Sequence, residues 1–139
     1  MKNIVKFLLM VWQVPQYIIA LYCLMVIYLF KQYTTSFIYK DKIVIKFKPN
    51  KFIPGGSFGE FIFLDDNFQG EELRITVKHE YGHTVQSLRY GPLYLVIIGI
   101  LSVVGNIYSR FVKIDYYDQP WEKEADILGG VTKSEREGL

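Results

Sequence analysis

The chain has 139 residues and a formal net charge of +2, with 50% hydrophobic, 17% aromatic and 22% charged residues. That length suits one domain, and the near-neutral charge argues against a dedicated nucleic-acid binder. The single cysteine, Cys23, excludes a disulfide framework and any multi-cysteine zinc site.

The hydrophobic residues gather in two blocks, residues 7–30 and 93–111, separated by a middle that alternates apolar and charged. This distribution excludes a disordered tail and a repeat array. Residues 7–30 carry no charge. As one helix they reach about 36 Å, enough to cross a bilayer of about 30 Å. Gln13 and Gln16 flank Pro15; the proline predicts a kink, and the glutamines need partners in protein or at headgroup level. Lys2 and Lys6 supply a basic start, but no small-x-small cleavage site follows, and Leu21-Tyr22 before Cys23 departs from a lipoprotein box. A retained transmembrane helix over 7–30 is the expectation.

A β region follows over 36–66. In residues 43–48, Ile43, Ile45 and Phe47 share one face and Val44, Lys46 and Lys48 the other. Residues 37–39 are the expected hairpin partner across Lys40-Asp41. Lys42, Lys46, Lys48 and Lys51 read as a solvated strand face, or, beside a membrane, as contacts to anionic headgroups. Gly55-Gly56-Ser57-Phe58-Gly59 lacks the phosphate-loop ending and is followed by a strand, so it reads as a turn or bulge. Residues 60–64 are the next strand, ended by Asp65-Asp66-Asn67.

Residues 71–90 form the clearest helix. Leu73, Val77, Tyr81 and Val85 recur at i+4 as an apolar stripe, and Gly91-Pro92 closes it. Another face carries His79-Glu80-Tyr81-Gly82-His83, the HExxH pattern, which uses the only two histidines of the chain. Residues four apart lie on the same side of a helix, about 5–6 Å between Cβ atoms. Two imidazoles there can hold one zinc ion, and Glu80, one residue on, can take a proton from a water at the metal.

A third ligand is expected downstream. The second apolar block, with its span-like length, is interrupted by Gly105-Asn106, a turn-forming dipeptide. Beyond it, residues 120–129 open with Pro120 and end at Gly129-Gly130, a short helix. Glu122 and Asp126 share a face of it. One can bind the metal while the other accepts an N–H from a ligating histidine. Glu124 points about 200° away from Glu122 and reads as a solvent-facing charge.

HEYGH followed by Glu-x-x-Ala-Asp resembles the gluzincin zinc metallopeptidases. The resemblance implies that His79, His83 and Glu122 are the ligands, Glu80 the general base and Asp126 the support of the first histidine. The similarity is nearest to membrane-embedded members of the CAAX-processing and stress-protease type. Three longer stretches, residues 12–16, 91–95 and 125–131, also look like small bacterial membrane proteins with the same HEYGH core.

His83 and Glu122 lie 39 positions apart, yet one metal requires them to meet. A straight helix over 93–111 separates its ends by about 28 Å. The block is therefore expected to fold back near Gly105-Asn106 as a hairpin over 92–111, the alternative being an HExxH helix partly within the bilayer. Six lysines between residues 31 and 51 place the catalytic part on the cytoplasmic side by the positive-inside tendency.

These readings predict an α+β chain: a membrane helix, a small sheet, the HExxH helix, a hydrophobic hairpin and a Glu-bearing helix. The predicted activity is zinc-dependent hydrolysis of a peptide or protein at a lipid bilayer, without nucleic acid. Glu60, Phe61, Ile62, Phe63 and Leu64 are the expected edge strand for an extended peptide, as the resemblance implies. Tyr116, Tyr117 and Arg110 are oxyanion candidates by position. The rival is a non-catalytic, zinc-stabilised membrane protein that serves as a structural or binding partner.

Overall fold

The uncharged N-terminal block folds as two helices rather than one. In the computed structural model, which describes residues 2–49, 51–112 and 115–138, α1 (Lys2–Trp12) and α2 (Val14–Leu29) are bent by 80°. Pro15 sits in the first turn of α2, where its missing N–H costs nothing. The bend is held from outside the block. Gln13 Oε1 accepts from Ser87 Oγ at 2.8 Å, Gln16 Nε2 donates to the Gly91 carbonyl at 2.5 Å, and Trp12 Nε1 donates to the Leu88 carbonyl at 3.1 Å. The kink expected at Pro15 is present and sharp enough to divide residues 7–30 into two helices, and Gln13 and Gln16 find their partners at the end of the HExxH helix.

Four strands follow in the order β1-β2-β4-β3: β1 (Tyr33–Tyr39), β2 (Lys42–Phe47), β3 (Gly56–Phe58) and β4 (Phe61–Asp65). The β1–β2 hairpin turns at Lys40, whose φ is 54°, so the hairpin read across Lys40-Asp41 is present. β2 and β4 run parallel, and β3 returns antiparallel to β4. Both faces of the inner strands β2 and β4 are covered. Ile45, Phe47 and Phe63 pack with Ala20, Cys23, Val26 and Ile27 of α2. Val44, Ile62 and Leu64 pack on the other side with Val77, Leu73 and Tyr81 of α3 (Gly70–Tyr90). The result is a helix–sheet–helix sandwich, with the i+4 stripe of α3 facing the sheet.

Covering both faces changes the reading of the lysines. Lys46 is buried and its Nζ donates to the Phe68 carbonyl at 2.8 Å, and buried Lys42 pairs with Asp41 at 2.9 Å. Only Lys48 and Lys51 of the expected solvated face are exposed.

The second apolar block contains no hairpin. Leu95–Gly99 is π-helical and continues into α4 (Ile100–Val112); Leu95–Val112 is long and apolar enough to cross a membrane by length and composition. Gly105 lies inside the helix, where an added Cβ would overlap the side-chain amide of Gln119. The glycine permits close approach rather than a turn. α5 (Pro120–Gly129) ends at Gly130 with φ 79°, and α6 (Lys133–Glu137) opens on a capping box between Thr132 and Glu135.

Candidate metal centre

Helices α3 and α5 are brought together by small residues. A Cβ on Gly82 would overlap the Ala125 carbonyl oxygen, and one on Gly129 would overlap the Lys78 carbonyl oxygen. This backbone-to-backbone approach carries Glu122, at the start of α5, over the two histidines of α3. His79 Nε2, His83 Nε2 and Glu122 Oε2 form a triangle with sides of 3.1, 3.2 and 3.2 Å, and all three residues are buried.

The neighbours decide the protonation of each ring. His79 Nδ1 lies 2.7 Å from Asp126 Oδ1, which can only accept. His83 Nδ1 lies 2.8 Å from Gln86 Oε1. The amide of Gln86 has one orientation, because its Nε2 donates to the Trp121 carbonyl at 2.9 Å and to Glu124 Oε2 at 2.8 Å. Both Nδ1 atoms therefore carry hydrogen, and the two Nε2 atoms face each other and one carboxylate oxygen. Three electron-rich donors meet in a buried space, and only a cation relieves their repulsion. His79, His83 and Glu122 lie close enough to bind a metal ion.

In the metal-free chain the cation is a proton. Burial opposes it, but Asp126 and Glu122 outweigh burial and raise the His79 pKa to about 9. Burial likewise opposes charge on Glu122 and Asp126. Hydrogen bonds from His79 and His83 hold the Glu122 carboxyl well below its ordinary range, and those from His79 and Arg136 lower Asp126. The other oxygen of Glu122, Oε1, accepts from Ser102 Oγ at 2.8 Å and Tyr116 Oη at 2.6 Å, which leaves Oε2 facing the two histidines. Arg136 grips Asp126 through both Nε and Nη2 and stacks on Tyr117, 4.0 Å from the ring centroid. Tyr117 in turn meets His79 edge-on at 5.3 Å.

Glu80 stands beside this triangle. Ser57 Oγ lies 2.7 Å from both the Glu80 carbonyl and Glu80 Oε2. A cavity of about 560 Å³ is lined by Glu80, both histidines and Glu122, by Gly55–Phe58 on one side, and by Tyr94, Ile98 and Val103 on the other. A second cavity of about 510 Å³ reaches His79 and Glu80 from the far side of Gly55-Gly56, with Lys51, Asp65 and Arg136 in its wall.

No family model, no curated protein and no solved structure matches this chain. The functional reading therefore rests on the geometry of the site.

The expected residues His79, Glu80, His83, Glu122 and Asp126 come together as the sequence reading required. The expected edge strand does not. β4, with Phe61, Ile62, Phe63 and Leu64, lies between β2 and β3, so both of its edges are paired over Phe61–Phe63; Glu60, just before it, accepts from the Ile43 N–H at 2.9 Å and its carboxylate lies 4.0 Å from Lys6. The free edge beside the metal site belongs to β3, in the segment that reads as a turn or bulge. Gly56 sits there, with its Cβ position 3.9 Å from Glu80 Oε2. Among the oxyanion candidates, the Tyr116 hydroxyl is committed to Glu122, Tyr117 lines both cavities, and Arg110 is exposed in the last turn of α4. Glu124 is no free charge, since it bonds Gln86 and Arg89. Ser57, Ser102 and Arg136 carry no spacing signal in the sequence; Gln86 does, at a helical i+3 from His83.

Proposed function

We propose that the chain is a membrane-associated zinc-dependent peptidase. The observation that carries this reading is the convergence of two imidazole Nε2 atoms and one carboxylate oxygen, with a neighbouring glutamate on the same cavity wall. The donor set fits zinc: a tetrahedral site with bonds near 2.0 Å has edges of about 3.3 Å, against the observed 3.1–3.2 Å. Two nitrogens and one carboxylate leave a fourth position open, the pattern of catalytic rather than structural zinc.

Zinc, when bound, supplies Lewis acidity toward a carbonyl and acidifies water at its open position. Glu80 removes the proton from the attacking water and returns it to the leaving amine. Ser57 holds the Glu80 side chain on the cavity wall. Asp126 and Gln86 fix the ring orientation of His79 and His83, and Ser102 and Tyr116 hold Glu122 by its other oxygen. The free edge of β3 is the place for an extended peptide, with main-chain pairing across Gly55-Gly56 and the two cavities receiving side chains on either side of Glu80.

Glu80→Gln separates this reading from its rival. It keeps zinc and loses hydrolysis by a factor on the order of 100 to 10,000 on any peptide the wild type cleaves. Equal hydrolysis by wild type and variant at equal zinc content removes the peptidase reading and leaves a zinc-stabilised membrane protein in its place.

A further inference from the structure

The protein exposes far more apolar surface than its sandwich needs. Every large apolar residue of α1 from Ile4 to Trp12 is exposed, as are Ile18, Leu21, Met25 and Leu29 on the side of α2 opposite the sheet. α4 exposes Val103, Ile107 and Phe111, the last at 82%, and the π-helical turn before it exposes Val96. Contiguous exposure on this scale marks a surface that is covered in use.

Two contacts argue that the cover is not a bilayer crossed from side to side. The sheet packs along α2 from Ala20 to Ile27, so it shares the depth of that helix. Its outer strand β1 is an open edge carrying exposed Thr34, Thr35 and Ser36, and open sheet edges do not occur in hydrocarbon. After α4 the chain returns along that helix, so that Gln119 meets Gly105 and Glu122 meets Ser102. A spanning α4 therefore drags the charged residues Asp118 and Lys123 back toward the bilayer centre, where charged side chains are disfavoured.

The charges at the end of α2 point to what lies against this surface. Lys40 stands over the rings of Tyr39 and Tyr81, and Lys42 and Lys46 are bound internally. Lys31, Lys48 and Lys51 are exposed and form no ion pair among the described residues. They cluster where the chain leaves α2: the Lys48 N–H donates to the Gln32 carbonyl at 2.9 Å, Phe30 stacks on Phe52 at 6.3 Å, and Lys51 Nζ stands 5.2 Å from the Phe52 ring centroid. Lysines rimmed by exposed aromatic rings beside an apolar face match the headgroup level of an anionic membrane.

We propose that the protein is monotopic: α1, the outer face of α2 and the exposed face of α4 enter one leaflet, with Lys31, Lys48 and Lys51 on anionic headgroups. The inference goes beyond the peptidase reading and does not depend on it. Because Lys51 also lines the second cavity, the mouth of that cavity opens at the membrane surface. The cytoplasmic leaflet is the anionic one, in keeping with the cytoplasmic side expected from the lysines.

The test uses the full chain without any assay of hydrolysis. Single cysteines at Asn3, Lys31 and Asp115 (N3C, K31C, D115C) are challenged with a membrane-impermeant maleimide in right-side-out and inverted vesicles, with buried Cys23 as the wild-type baseline. All three label from the same face; labelling of any two from opposite faces overturns the proposal. In parallel, K31Q/K48Q/K51Q is added from dilute detergent to phosphatidylcholine vesicles with and without phosphatidylglycerol. The variant partitions about a hundredfold more weakly than wild type onto the anionic vesicles and equally onto the neutral ones. Equal binding to anionic vesicles overturns the headgroup seat. A stable dimer that stays off both vesicle types overturns the leaflet in favour of a second copy of the chain.

Discussion

Gly82 packs against the backbone carbonyl of Ala125 so closely that a single added methyl group would overlap that oxygen. The contact joins the two helices that carry the metal ligands, and Gly129 repeats it one turn away against Lys78. Gly82→Ala pushes α5 outward and carries Glu122 away from His79 and His83. The expected loss is about 1–3 kcal/mol of stability, together with a fall in metal content. Denaturant titration and elemental analysis of the purified variant check it, and a variant of wild-type stability and metal content contradicts it.

Gln86 is the orienting partner of His83, as Asp126 is of His79. Gln86→Ala and Asp126→Ala each lower metal affinity by about 10- to 100-fold, measured by competition with a chromogenic chelator. Glu124→Gln, one bond further out, has a smaller effect in the same direction, because the Gln86 amide keeps the Trp121 carbonyl as a second anchor.

These contacts also mark the limits of what the sequence displays. HExxH is legible because an i, i+4 pair is fixed by helix geometry alone. The α3 stripe of Leu73, Val77 and Tyr81 and the β1–β2 hairpin are legible for the same local reason. Glu124 reads as a surface charge because its partners, Gln86 and Arg89, are 38 and 35 residues away. The strand order is equally non-local: Gly56-Ser57-Phe58 looks like a turn, yet it forms the free edge, and the more strand-like residues 61–64 are interior. Gly105 carries the most instructive error. A glycine in an apolar run has two meanings, a turn or a close contact, and only the approach of Gln119 separates them. Likewise Pro15 announces a kink within residues 7–30, but its 80° size rests on hydrogen bonds to Ser87, Leu88 and Gly91, more than 70 residues away.

Ser57 lies against Glu80 without touching the metal ligands. Ser57→Ala therefore retains metal and lowers kcat by about tenfold, the worth of one hydrogen bond, well short of the loss in Glu80→Gln. Steady-state kinetics on a cleaved peptide compare the two. A Ser57→Ala loss as large as that of Glu80→Gln contradicts the assigned roles.

The metal-free chain has a pH signature. His79 is raised from its ordinary 6.5 to about 9 in the folded state, so folding takes up a proton between these values. The resulting stability is fully present below about 6.5 and is lost as pH rises through about 9. Denaturation of chelator-treated protein across that range follows this fall, and Asp126→Asn flattens it. Metal affinity moves the opposite way, rising with pH until the competing proton has left.

The central claim is that His79, His83 and Glu122 hold one zinc ion, with Glu124 outside the ligand set. Zinc content of the purified wild type, Glu122→Ala and Glu124→Ala measures it most directly. The account predicts one zinc per wild-type chain, loss in Glu122→Ala and retention in Glu124→Ala. Zinc lost in Glu124→Ala and kept in Glu122→Ala contradicts it.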